Sequence, residues 1–155
     1  MFMRIDWYKT LPEGYRAMLG LQKVVDNSNI DHKLFELVKI RASQINGCAH
    51  CLEMHTKDAK ELGETELRLN VLAAWKEAPI YTEREKAALA WCEELTNISI
   101  TGASDSVYKE VEKNFSPTEL VELTLAITVI NAWNRLAVGF RADVGNYVSK
   151  IKKSE

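Results

Sequence analysis

The sequence predicts an all-α domain of about six to seven helices, and three observations carry that expectation. No stretch alternates apolar and polar residues with the strict period of two that a half-buried strand requires. Almost every segment instead reads as helix, bounded by helix-start and helix-stop chemistry. Two capping-box patterns, Thr82-Glu83-Arg84-Glu85 and Ser116-Pro117-Thr118-Glu119, mark helix starts outright.

In order along the chain, Leu11-Pro12-Glu13 opens a first helix that runs to about Val25 and ends in the polar Asp26-Asn27-Ser28-Asn29. A second spans about Asp31 to Asn46, with Leu34, Val38 and Ile45 on one stripe and Gly47 as its C-terminal stop. A third starts at Cys48 and stops at Gly63, and a fourth covers roughly Glu64 to Lys76 before Pro79. The fifth follows the first capping box to about Thr96, and a shorter one covers about Asp105 to Asn114. The last follows the second capping box and is expected to continue past Arg141, with Gly139 and Gly145 as candidate breaks. From Leu120 to Ile130 it is apolar nearly all round, the mark of a buried central helix or of a subunit interface. Its interruptions make it too polar, on this reading, for a membrane span.

Length and composition bound the function. The 155 residues fit one domain spanning 1–155, with 46% hydrophobic and 27% charged residues. A net charge of -2 leaves no basic excess to neutralise phosphates, so neither nucleic acid nor an anionic membrane is an expected partner. The opening Met1-Phe2-Met3-Arg4-Ile5-Asp6 turns polar too early for a secretory leader, which makes the cytoplasm the expected location. Three cysteines, an odd number with two of them close neighbours, do not read as a disulfide-stapled secreted framework. In a reducing compartment such a close pair is catalytic or metal-binding more often than structural.

The chemistry concentrates in Cys48-Ala49-His50-Cys51-Leu52-Glu53-Met54-His55, with Glu36 twelve residues before Cys48. On a wheel of about 100° per residue with Cys48 at zero, Cys51 falls near -60° and His55 near -20°. Both thiols and an imidazole therefore share a narrow stripe, while Glu53, Lys57, Lys60 and Glu61 fall opposite, so the chemistry is expected to face inward, toward a dry pocket or a neighbouring helix. Backbone N–H groups at the helix start favour a thiolate, and His55 can accept a thiol proton. His50 lies off the stripe but beside Cys51, where it can tune the pair. Glu36, flanked by Phe35 and Leu37, is a candidate for burial, which would raise its pKa and suit it to passing protons near neutrality. A solvated Glu36 pairing with Lys39 or His32 is the plainer alternative. Cys92 has no close partner and reads as an apolar filler, and Trp75, Trp91 and Trp133 as packing residues.

Glu36, eleven residues, Cys48, two, Cys51, three, His55 resembles the motif of the AhpD-like alkylhydroperoxidases in full, and His50 matches a further histidine position. These proteins lie within the wider carboxymuconolactone decarboxylase superfamily. Asn70-Val71-Leu72, Trp75 to Pro79, Glu83 to Ala90 and Asn131-Ala132-Trp133-Asn134-Arg135 are similar to the single-domain branch, so the resemblance covers roughly residues 12 to 145.

The resemblance implies an all-helical fold with the C-x-x-C at a helix start, and homo-oligomers, commonly trimers or hexamers. It implies peroxidase and disulfide-reductase chemistry without metal, haem or flavin. Cys51 would be the peroxidatic cysteine, Cys48 its resolving partner, and His55 with Glu36 the proton relay, assisted by His50. The substrate would be a hydroperoxide and the reductant a dithiol, which in the family can be a lipoyl-bearing adaptor protein. Two other chemical readings compete, besides a non-enzymatic helical oligomer that uses the fold for partner binding. One is zinc held by Cys48, Cys51, His55 and Glu36. The other is lactone-acid decarboxylation, which does not call for the cysteine pair.

Overall fold

The structure is a computed structural model that describes residues 3–151. Met1 and Phe2, read above for a leader, lie outside the described residues. Nine α-helices and one 3-10 turn make up the described chain. They are α1 (Trp7–Thr10), α2 (Pro12–Asp26), α3 (His32–Asn46), α4 (Ala49–Glu61), α5 (Glu66–Val71), the 3-10 turn Leu72–Ala74, α6 (Glu83–Thr96), α7 (Ile98–Thr101), α8 (Asp105–Asn114) and α9 (Pro117–Phe140). The fold is all-α, as expected. The two additional helices, α1 and α7, have four residues each and so cannot display a helical period. The expected fourth helix stops early, because the chain tightens into the 3-10 turn at Leu72.

α3 is the central element and packs against α4, α6 and α9. Every residue from Leu34 to Ile40 is buried, including Glu36 and Lys39. Phe35 and Val38 join a cluster with Cys92, Leu123 and Ile127, whereas Leu37 and Ile40 join a second one with Leu72 and Leu89. A helix surrounded on all sides cannot send polar side chains to water, so any charge it carries has to be met inside the protein.

The junction between α3 and α4 is tightly specified. Gly47 takes the left-handed conformation at φ 66°, where a Cβ would be strained. The Cys48 N–H then reaches back to the Ser43 carbonyl at 3.0 Å, closing α3 as a Schellman turn does. Asn46 donates to the side-chain oxygens of Asn131 and Asn134 at 3.0 and 2.9 Å, and Asn134 donates to Ser43 Oγ at 3.1 Å. This amide network ties the end of α3 to α9 and sets where α4 begins.

α9 is the buried core helix on one side, through Leu123, Ala126, Ile127 and Ile130. The expectation that it is too polar for a membrane span does not hold on length and composition, since from Leu123 to Phe140 only Arg135 is charged. Burial of 44% of that window reflects its packing in the core. Nor does it continue past Arg141, which turns left-handed at φ 57° and ends it. Gly139 lies inside the helix, and Gly145 falls in the segment that follows. That segment, residues 142–151, has no helix or strand and runs back across α4 as a strap.

Candidate active site

Cys48 is the N-cap of α4, one residue before the helix, and its Sγ accepts the Cys51 N–H at 3.3 Å. A cap sulfur facing a free backbone donor is in a position that favours negative charge. Cys48 and Cys51 are joined as a disulfide with a Cα–Cα distance of 5.4 Å, within the ordinary range. Cys48 is sealed at 1% exposure, and Cys51 lines a cavity of about 610 Å³. The inward stripe read from the helical wheel is therefore present.

His55 also lines this cavity, and its Nδ1 lies 2.7 Å from Glu36 Oε2. An ionised carboxylate only accepts, so Nδ1 carries the hydrogen, and in the neutral ring Nε2 is the nitrogen with the lone pair. Lys39 Nζ donates to the other oxygen, Glu36 Oε1, at 2.8 Å. Glu36 thus has both partners that the sequence offered as alternatives, His55 from the motif and Lys39 from the plainer reading, but not His32. Burial alone pushes this carboxyl up, but His55 and Lys39, by charge and hydrogen bond, outweigh it and hold it down at about 2. The expectation of a raised pKa is therefore corrected. Glu36 is ionised at neutrality and fixes the tautomer of His55, instead of titrating there.

His50 lines the same cavity, half-buried, with Nδ1 2.6 Å from the Asp143 carbonyl oxygen. By the same logic Nδ1 donates and Nε2 is left as an acceptor. All five residues singled out from the sequence thus meet in one place, with Cys48 behind Cys51 and not on the cavity wall.

Two participants were not anticipated. Asp58 is 8% exposed and receives the Tyr147 hydroxyl on both carboxylate oxygens, at 3.0 and 2.9 Å. Atoms of Glu36, His55 and Asp58 all lie within 4.8 Å of one another. A signal for Asp58 existed, since the wheel sets it at about -80°, on the cysteine stripe. Tyr147 had none, because it arrives from a strap 89 residues away. Burial and the Asp58 charge push its hydroxyl up, so it remains a donor.

The charged face of α4, opposite the thiols, stays open at Lys60 and is covered by the strap at Glu53 and Lys57. Glu53 accepts from Gly145 N at 2.6 Å, Tyr147 N at 3.2 Å and Lys57 Nζ at 2.6 Å. Lys57 in turn reaches the Tyr147 carbonyl at 2.7 Å. The strap is thereby pinned across the outer face of the helix by charge-assisted bonds.

The zinc reading named Cys48, Cys51, His55 and Glu36, whereas the cluster that forms is Glu36, His55 and Asp58. Lys39 already sits on Glu36 and Tyr147 on Asp58, so both carboxylates have donors. In this oxidised state the two sulfurs are bonded to each other and are not free thiolate ligands.

An all-helical fold whose C-x-x-C begins a helix beside a glutamate–histidine pair is AhpD-like. The match to the family model described as the carboxymuconolactone decarboxylase family covers residues 12–94, and the chain belongs to that family. It is 41% identical over 138 residues to the uncharacterized protein YdfG of Bacillus subtilis, covering 89% of this chain and 94% of that one. A solved structure from Agrobacterium tumefaciens, of a protein of unknown function described as a candidate AhpD antioxidant defence protein, is 41% identical with a TM-score of 0.91. That match covers 94% of this chain and all of the other. The debrominase Bmp8 shares the fold alone, at 20% identity and TM-score 0.76 over 89% of this chain and 74% of its own.

Proposed function

We propose that the protein is a thiol-dependent peroxidase that reduces hydroperoxides through the Cys48–Cys51 pair. A fold that also carries a debrominase does not select the reaction. The observation that carries the reading is Cys51 on the cavity wall beside a histidine whose Nδ1 is held by an ionised carboxylate.

In the reduced protein, His55 Nε2 takes the Cys51 proton. Glu36 stabilises the resulting imidazolium, as a buried carboxylate does in other nucleophile–histidine pairs. The Cys51 thiolate attacks the hydroxyl-bearing oxygen of the hydroperoxide. The O–O bond breaks, the alkoxide takes the proton from His55 and leaves as the alcohol, and Cys51 becomes a sulfenic acid. Cys48, one turn away, attacks the Cys51 sulfur. Its proton and the departing hydroxide leave as water, and the disulfide forms. A dithiol then returns two electrons by exchange, entering at Cys51, the sulfur on the cavity. Asp58 and Tyr147 position His55 and do not touch the reacting atoms, and His50 supplies a second acceptor nitrogen at the cavity. A lipoyl-type dithiol, a cytoplasmic setting and homo-oligomeric assembly complete the reading.

The test is to reduce the protein, add one equivalent of hydroperoxide and map the product by peptide mass. Loss of two hydrogens in the peptide holding Cys48 and Cys51, reversed by dihydrolipoamide, is the expected result. Undiminished hydroperoxide consumption by Cys51→Ser would overturn the reading.

A further inference from the structure

Lys39 is the one buried lysine among the described residues. It is 8% exposed, on a helix enclosed on all sides, whereas the other lysines in ion pairs keep 31% to 87% of their side chains in water. An ammonium carries three N–H donors. One meets Glu36 Oε1 at 2.8 Å, and the other two have no acceptor among the described residues. A buried charge is normally both paired and hydrogen-bonded. Pairing with Glu36 accounts for one donor of Lys39 and for its charge. It does not account for the two spare donors, nor for the position of Lys39 on the cavity that Cys51 and His55 also line. The contents of that cavity are the available source of further acceptors.

The reaction creates such an acceptor. When a thiolate attacks the hydroxyl-bearing oxygen of a hydroperoxide, an electron pair moves onto the other oxygen. Displacement is in line, so this leaving oxygen emerges on the side of the attacked one away from the sulfur. Negative charge grows there as the O–O bond breaks. A fixed donor held at that point, in a site with little water, is worth far more than the same donor in solution. The cavity has walls suited to this, because Trp7, Leu19, Met54 and Trp133 add apolar side chains to its lining. Lys150 lines it too, but from an exposed position on the strap, where water and salt screen its charge.

We infer that Lys39 is a catalytic residue that stabilises the leaving oxygen of the hydroperoxide. Its spare N–H groups donate to that oxygen while the bond to the attacked oxygen breaks. The electron pair comes from Cys51 Sγ, which is left as the sulfenic acid. His55 supplies the proton that turns the alkoxide into the alcohol, and Lys39 keeps its own protons throughout. Glu36 thus holds the two groups that act on this oxygen, His55 on Oε2 and Lys39 on Oε1. The inference rests on the peroxidase reading.

The test varies the leaving oxygen. tert-Butyl hydroperoxide expels a strongly basic alkoxide, whereas peracetic acid expels a carboxylate that needs little help. Full-length protein is reduced, freed of reductant and mixed with each oxidant at neutral pH. The second-order rate of Cys48–Cys51 disulfide formation is followed by quenching and peptide mass. Lys39→Met, which keeps the length and removes the charge, is expected to slow the reaction with tert-butyl hydroperoxide about a hundredfold and that with peracetic acid by no more than about threefold. Lys39→Arg, which keeps the charge, is expected to lose less than Lys39→Met on tert-butyl hydroperoxide. Equal losses on the two oxidants in Lys39→Met overturn the inference and leave Lys39 as a positioning residue for Glu36. The ratio is taken within one preparation, so a partly folded variant lowers both rates alike and does not disturb it. The parent protein gives a check without any variant. Its acceleration over free dihydrolipoamide must be greater for tert-butyl hydroperoxide than for peracetic acid, and equal accelerations overturn the inference. A reduced parent that reacts with neither oxidant sinks the peroxidase reading and this inference with it. A reactive parent with an unchanged ratio in Lys39→Met sinks the role of Lys39 alone.

Discussion

Cys51 and Cys92 are both buried, both lie in helices packed on α3, and face opposite fates. Cys92 sits in the middle of α6, fully enclosed, with its thiol hydrogen on the Val38 carbonyl at 3.4 Å. Burial pushes that thiol up to about 12, so it stays protonated and inert. Cys51 sits in the first turn of α4, with a cavity in front, a capping sulfur behind and an imidazole of fixed tautomer on the same wall. Reactivity here is a property of the site and not of the residue type. It requires a helix start, a route for substrate and a base, and Cys92 has none of these.

The largest effect follows from breaking the reactive side of this contrast. Cys51→Ser is expected to lower peroxidase kcat/KM by about a thousandfold or more, since the nucleophile itself is removed. Steady-state hydroperoxide consumption with dihydrolipoamide checks it. The same variant leaves the ion pairs around Glu36 in place but cannot form the disulfide, so its thermal stability, set against that of the reduced parent protein, serves as the control.

Glu36→Gln comes next and acts on both stability and pH response. It strips the negative charge from between His55 and Lys39 and leaves Lys39 buried without its partner, at a cost of about 3–5 kcal/mol. The pH dependence has a definite sign. Above the ordinary carboxyl value of 4.5 Glu36 is ionised in both folded and unfolded chains, and its stabilisation is fully present. Between 4.5 and about 2 the unfolded chain takes up a proton that the folded one refuses, so stability falls with falling pH. That window holds roughly 3 kcal/mol. Urea melts across it should show the slope in the parent protein and lose it in Glu36→Gln. A slope that survives the substitution would assign acid sensitivity to other groups.

The contrast between the two cysteines was largely legible in the sequence, and its supporting cast was not. Capping boxes and the Gly47 stop are local chemistry, so the long helices fall near their expected bounds. Asp58 was within reach of the helical wheel, yet a single aspartate near lysines reads as a surface charge until its surroundings are known. The pKa of Glu36 was read in the wrong direction, because burial is visible in its apolar neighbours while the approach of His55 is tertiary. Tyr147 and the strap were beyond sequence reasoning, since irregular backbone has no period and its contacts span some 90 residues. Trp7 belongs to the same class, in a helix too short to announce itself.

Tyr147→Phe probes that unanticipated layer and is expected to have a smaller effect. Removing the hydroxyl takes the donor from both oxygens of Asp58. A hydrogen bond to a charged group is worth about 1.5–3 kcal/mol, and water entering beneath the strap recovers part of it. The melting temperature should fall by about 2–4 °C for each kcal/mol lost. Amide exchange at Gly145 and Tyr147, whose N–H groups bond Glu53, should speed up if the strap loosens as a unit. A merely structural role predicts an unchanged pH profile of kcat/KM. A role in positioning His55 predicts a shifted acidic limb, where protonation of the base removes activity.

The smallest effect is expected at Cys92, and it closes the contrast from the inert side. Cys92→Ala removes a sulfur from a fully packed interior and should cost about 1 kcal/mol through the small void left behind. Peroxidase kcat/KM should remain within about twofold of the parent, because no step passes through this thiol and α6 keeps its capping box. Alkylation gives a second reading of the same point. With the disulfide intact, Cys92 is the one free thiol of the three cysteines. Iodoacetamide should label no cysteine in the native oxidised protein and one per chain in denaturant. Rapid native labelling of Cys92 would show that α6 opens readily and that enclosure does not keep this thiol silent. Slow labelling at the rate of global unfolding would instead tie its inertness to the core around α3, the same packing that holds Glu36 against His55 on the other side of that helix.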